Sequence, residues 1–347
     1  MRRPRWLITV AVALATVGYV TWLVVADGDQ IDRALLRFQG AALRWLVAAV
    51  VLEACSQLAA SLMQRRLISA AGTDMALRHA VGLVLAQNAI GLSVPGGPVL
   101  ATAYGFRQLR RRGTDPAAAS WVIAASNVVT GLAVTVFVLF AVGGPDAWTI
   151  VTIAGFLLAI VVLVVAVERP ARLRAPAVVI LHAVRRIRRR PTDDVGDVVD
   201  GVIARLSTVQ LRRTDWGVLA VFAVASIATD CAALFCCVHA VTRLPPVCAN
   251  PSLTARQAQR CARLKPPSTG TVLLAYAVGQ GATTIPVVPG GIGLVETAMT
   301  ATFTAGHLAL IPALSVVLLY RLLSYWAVIL VGGGCWFVLR RHRPAAE

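Results

Sequence analysis

Long apolar runs alternate along the 347 residues with short polar segments rich in arginine. The runs at 6–26, 44–62, 120–142, 148–167, 217–241 and 309–338 predict six spanning helices, since each is long enough to cross a hydrocarbon layer of roughly 30 Å. Two further runs, 80–106 and 270–306, are interrupted by Pro95-Gly96-Gly97 and Pro289-Gly290-Gly291. Unpaired backbone cannot face lipid, so each break is expected inside protein or beside a polar cavity. Proline ends the entering helix and the paired glycines permit a sharp reversal. The expected fold is therefore an all-α polytopic membrane protein with about six spanning helices and two re-entrant helical hairpins.

Charge decides how the hairpins sit. With both re-entrant, 24 of the 33 Lys and Arg residues are cytoplasmic, 8 are external, and Arg321 is inside the membrane. With both spanning, the partition becomes 14 cytoplasmic and 18 external. The positive-inside rule selects re-entrant hairpins, opening to opposite faces, with both termini in the cytoplasm. The chain then reads as a single membrane domain of two inverted halves, 1–167 and 217–347, joined by the cytoplasmic loop 168–216. That loop carries eleven arginines against six acids. It reads first as a topology-setting solvated loop and second as a site for anionic lipid headgroups. In a soluble protein the net charge of +17 would suggest nucleic acid, but here the charge lies in loops and no nucleic-acid partner is expected.

Superposing the breaks defines an offset of 194 residues, which carries Asn127 onto Arg321. Glu53 and Asp230 each lie inside the apolar helix preceding a hairpin and are read as repeat equivalents. Intramembrane ionisable groups normally face a partner or a wet cavity. Arg321, Glu296, Asp230, Glu53, Asn127 and Asn88 are accordingly the candidate headgroup-binding residues. Gly96, Gly97, Gly290, Gly291 and Gly293 would contribute backbone amides at the starts of half-helices, where an anion is favoured, and Pro95 and Pro289 have a structural role. A structural ion pair between Arg321 and an acid stays open as the alternative. For Gln57, Gln87, Asn88 and Gln280, taken singly, hydrogen bonding between helices is the simpler role.

Ile285-Pro286-Val287-Val288-Pro289-Gly290-Gly291-Ile292-Gly293-Leu294-Val295-Glu296, with Leu319 to Trp326 and Gly332, resembles the C-terminal signature of the lysylphosphatidylglycerol synthase transmembrane-region family. Asn88 through Gly97, with the Arg-rich exit to Gly113, resembles its first signature. The resemblance implies a flippase-like module that moves aminoacylated phosphatidylglycerol between leaflets, with Glu296 and Arg321 at the charged positions of the second signature. The absence of the aminoacyl-transferase domain is a departure from the resemblance, and a stand-alone member is expected. Pro98-Val99 departs from the polar residues found after the first break in some relatives, which leaves the headgroup open.

The expected function is translocation of a phospholipid or other anionic-headgroup lipid in a bacterial cell membrane. Translocation of polyprenyl-phosphate sugar carriers, or an accessory role in a lipid- or glycan-modifying complex, are the alternatives. Membrane lipids are the expected partners, together with a lipid-modifying enzyme or glycosyltransferase. No HExxH, nucleotide loop or nucleophile-base spacing is present, so no enzymatic activity, metal or cofactor is expected. Five of the seven cysteines fall in apolar helices, where buried thiols are the default. Cys248 and Cys261 lie in the external loop 242–269, where either a disulfide or two free thiols are read.

Overall fold

The computed structural model describes residues 43–94, 96–142, 174–187, 195–206, 213–242, 266–283 and 289–341, with a few single positions between 158 and 169. The expected spans 6–26 and most of 148–167, Pro95, and the loop holding Cys248 and Cys261 lie outside the described residues. Every regular element described is helical. Among the described residues, four stretches are long and apolar enough to cross a membrane: Leu43–Ala70, Pro116–Ala141, Thr214–Val241 and Leu310–Leu339.

Helices α1 (Leu43–Ala70) and α7 (Arg213–Val241) form the central pair. At about 1.5 Å per residue each is longer than a hydrocarbon core, which leaves charged ends beyond it. Trp45 stacks near His239, with ring centroids 4.9 Å apart. At mid-length Ser56 Oγ lies 3.2 Å from Ser226 Oγ, and at the other end Arg66 bonds Asp215. Residue numbers rise along one helix as they fall along the other, so the pair is antiparallel. That is the geometry inverted halves require.

Each half then repeats one plan. Helices α2 (Leu77–Ser93) and α3 (Gly97–Arg111) form the first hairpin, followed by α4 (Pro116–Val142). Helices α8 (Thr269–Thr283) and α9 (Leu294–Ala305) form the second, followed by α10 (Leu310–Arg321), a π-helical stretch Leu322–Ala327 and α11 (Val328–Arg341). Between the halves the described residues include two amphipathic helices, α5 (Arg174–Ile187) and α6 (Val195–Leu206). In the first hairpin Gly105 packs on Gln87 and Gly97 on Gly91, and in the second Gly306 packs on Thr271 and Gly279 on Met299. Both hairpins are therefore antiparallel pairs.

The offset of 194 runs through the backbone itself. It takes the start of α4 at Pro116 to the start of α10 at Leu310. It also takes Gly96, at φ 68°, onto Gly290, at 55°, and Gly113, at 85°, onto His307, at 68°. Even the closing bonds match: Thr114 N–H donates to Leu109 O, and Leu308 N–H to Phe303 O.

Two apolar cores form at opposite ends of the central pair. One gathers Leu67, Leu83, Leu109 and Val122 with Leu219, and the other gathers Leu234, Val272, Phe303 and Val316 with Ala49. The buried α7 residues Cys231, Ala233, Leu234, Cys236 and Cys237 belong to the second core. Cys55, expected among buried thiols, is exposed instead. It lies on a face of α1 that also exposes Val47, Val50 and Val51, the face that suits lipid.

Candidate functional site

Between the two cores lies a cavity of about 890 Å³, walled by α1, α2, α3, α4, α7 and α8 and by residues of both hairpin breaks. Six carboxamides line it: Gln57, Gln64, Gln87, Asn88, Asn127 and Gln280. Asp230 is its single acidic lining residue, and no Lys, Arg or His lines it among the described residues. So many amides within an apolar bundle require partners, since a buried polar group without one is costly.

Most of these amides bond to one another across helices. Gln64 Nε2 donates to Gln87 Oε1 at 2.9 Å, and Asn88 Nδ2 to Gln57 Oε1 at 2.9 Å. Gln57 Nε2 donates to Glu53 Oε1 at 3.0 Å. The Glu53 carboxyl is within hydrogen-bonding reach of Asp230. Asp230 in turn accepts from Tyr320 Oη at 2.8 Å and Tyr276 Oη at 2.9 Å, with Gln280 Nε2 at 3.4 Å. A continuous polar chain thus runs from the first hairpin, through the central pair, to the second hairpin.

Glu53 and Asp230 meet because α1 and α7 are antiparallel, near the middle of their crossing. Gln57, Gln64, Gln87 and Gln280 both tie helices together and line the cavity. Considered singly, each lacks a signal for that second role. Tyr276 and Tyr320 gave no signal either, because their partner sits on a distant segment.

Arg321 stands elsewhere. It is buried, donates from Nε to Glu296 Oε1 at 2.7 Å and from Nη2 to Gly290 O at 2.8 Å, and lies 4.2 Å from the Tyr325 ring centroid. Neither Arg321 nor Glu296 lines the cavity. The geometry is that of the ion-pair alternative: a guanidinium fork fastening a helix to the break it faces. Its offset partner Asn127 is exposed in the cavity wall.

The half-helix amides expected to hold an anion are also engaged. Gly293 N–H donates to Glu296 Oε2 at 2.7 Å, so the second half-helix is capped by its own acid. In the first, Gly97 N–H donates to Val94 O and Val99 N–H to Gly96 O, and residue 98 is a proline with no donor. Gly96, Pro289 and Gly290 still reach the cavity wall, while Gly97, Gly291 and Gly293 do not line it. The glycine at 97 has a steric reason, because a Cβ there would overlap the Gly91 carbonyl. The two tips meet where Tyr325 Oη donates to Leu92 O at 3.1 Å while its ring covers Gly290.

The sequence model described as the lysylphosphatidylglycerol synthase TM region matches residues 6–249, a span that reaches from the first apolar run through α7. The chain belongs to that family. This lysylphosphatidylglycerol synthase TM-region protein is a multi-pass membrane protein, and its family's domain is linked to lipid flipping. The matched span contains the first hairpin and stops before the second, so the Pro289 to Gly332 signature stands on its residues alone. No curated protein matches the chain.

Proposed function

We propose that this protein moves a lipid between leaflets of a bacterial cell membrane by passing its headgroup through the amide-lined cavity while the acyl chains stay in the bilayer. The observation that carries this reading is a polar cavity within an apolar bundle, walled by the central pair and reached by both hairpin breaks. A headgroup leaving water needs its hydrogen bonds replaced at membrane depth. Carboxamides suit that task because each offers donors to phosphate oxygens and an acceptor to hydroxyls or amines.

The hairpins enter and leave by opposite faces, and both termini are cytoplasmic, as the arginine distribution favours. Arg321 acts as a clamp on the second break instead of as the anion contact, and no enzymatic step is assigned to the chain. A sugar-bearing polyprenyl-phosphate headgroup is the second reading, favoured by the same dense array of amide donors and acceptors. Its neighbours in the membrane would then be glycosyltransferases in place of a lipid-modifying enzyme.

Leaflet-resolved transport in vesicles, using the purified chain and a panel of aminoacylated, unmodified and glycosylated lipids, tests both. Selective movement of one class is expected, with loss in Gln57→Leu. Equal movement with and without protein would refute the proposal.

A further inference from the structure

The acid pair behind the cavity wall has a donor deficit. Tyr276 and Tyr320 each carry one hydroxyl hydrogen, and both point it at Asp230, which therefore acts as acceptor on both oxygens. Glu53 accepts from Gln57 on Oε1, whereas its buried Oε2 meets no donor. Among the described residues, the other groups against the pair are the Cys231 and Cys237 thiols of α7 and the Gln280 amide of α8. None of these is cationic, and Arg321, next to Tyr320 in the chain, is committed to Glu296 and Gly290. Two ionised carboxyls at this distance without a counter-charge would repel strongly in an apolar setting. One hydrogen on Glu53 removes the deficit, giving Oε2 a bond to make and leaving a single negative charge shared with two tyrosines.

We propose that Glu53 and Asp230 together form a proton-binding site, holding one proton between them, and that its filling and emptying is coupled to headgroup passage. The second half of this statement rests on the lipid-transport reading; the first does not. The chemistry is one O–H bond: a proton from water adds to the Glu53 carboxylate, and its release restores the carboxylate. Asp230 faces the cavity, whereas Glu53 lies behind it and does not line it. A headgroup hydroxyl or amine that donates to Asp230 takes the place of the Glu53 hydrogen. An occupied cavity and a bound proton then exclude each other, and the Asn88–Gln57–Glu53 bonds carry the same change to the first hairpin.

Infrared spectroscopy of the full chain in nanodiscs tests the site without any substrate. A carbonyl band of a buried protonated carboxyl is expected in the wild type and in Asp200→Asn, and is expected to vanish in Glu53→Gln, whose amide supplies the missing donor permanently. Should that variant fail to fold, Asp230→Asn gives the second reading, since the Glu53 band must shift when its acceptor changes from carboxylate to amide. No such band in the wild type, its persistence in Glu53→Gln, or an unmoved band in Asp230→Asn would overturn the site.

Coupling is read from lipid movement in vesicles under an imposed pH gradient. The wild-type rate should respond by up to about tenfold per pH unit, the limit for one proton, and Glu53→Gln should be flat. Lipid movement indifferent to the gradient overturns the coupling alone. Absence of any lipid movement, with the band present, refutes the transport reading and the coupling with it while the proton site stands.

Discussion

At the second hairpin Gly290, Glu296, Arg321 and Tyr325 interlock. At the same offset in the first hairpin stand Gly96, Thr102, Asn127 and Gly131. Thr102 Oγ1 bonds its own helix at Pro98 O, and Asn127 faces the cavity. Topology is shared, and the fastening is not. One tip is held by an ion pair, a carbonyl contact and an aromatic ring, whereas among the described residues the hydrogen bond that ties the first tip to the other half is that of Tyr325 to Leu92. The same fold thus supplies a fixed wall on one side of the cavity and a polar, less constrained wall on the other.

Breaking the clamp should give the largest effect. Arg321→Met leaves Glu296 and the Gly290 carbonyl without their donor, and loss of one member of a buried pair costs about 3–5 kcal/mol. Thermal unfolding in detergent should show that loss, and Glu296→Gln in the same chain should recover much of it, since the glutamine oxygen still caps Gly293. A single mutant as stable as the wild type would mean that the two tips are fastened alike.

Gly97→Ala comes next. Its Cβ would meet Gly91 backbone, which cannot move aside as a side chain can, so overpacking of about 1–3 kcal/mol is expected in the same assay. A smaller and opposite change should follow from the matched left-handed positions. The second half has His307 where the first has Gly113, both at positive φ. His307→Gly relieves a conformation that costs a side-chain-bearing residue about 1 kcal/mol, and the unfolding temperature should rise.

The smallest effect belongs to the loop between the halves. Arg174 holds the exposed Asp200 carboxyl below its usual range through paired bonds of 2.6 and 2.8 Å. The contact between α5 and α6 gains from this above the ordinary aspartate range and loses it as pH falls through the lowered value. Protection of the α6 amides, taken relative to the intrinsic exchange rate at each pH, should therefore fall in acid and in high salt, and Asp200→Asn should abolish that response.

Much of this plan was legible in the sequence because glycine, proline and long apolar runs are local signals. The breaks at 96–97 and 290–291, the offset of 194 and the long helices all follow from residue types whose conformational limits need no tertiary context. The register between α1 and α7 does not. It depends on side chains far apart in the chain, such as Arg66 and Asp215, 149 residues apart, and Ser56 and Ser226, 170 apart, so the meeting of Glu53 with Asp230 was hidden. The amides were hidden for a related reason, since a lone glutamine in a helix is compatible with glue and with a cavity wall alike. Arg321 and Glu296 were found as charges at membrane depth, but pattern alone could not distinguish a bound headgroup from a bound neighbour. The distances to Glu296 and Gly290 show the bound neighbour.

Lipid movement between leaflets, measured in vesicles on two well-folded variants side by side, tests the division between cavity and clamp most directly. Asn127→Leu, which replaces a polar group of the cavity wall, should lose most of the transport, while Arg321→Met with Glu296→Gln should move lipid near the wild-type rate. Wild-type transport by Asn127→Leu together with an inactive double variant would place the headgroup at Arg321 and contradict the assignment of the cavity as its path.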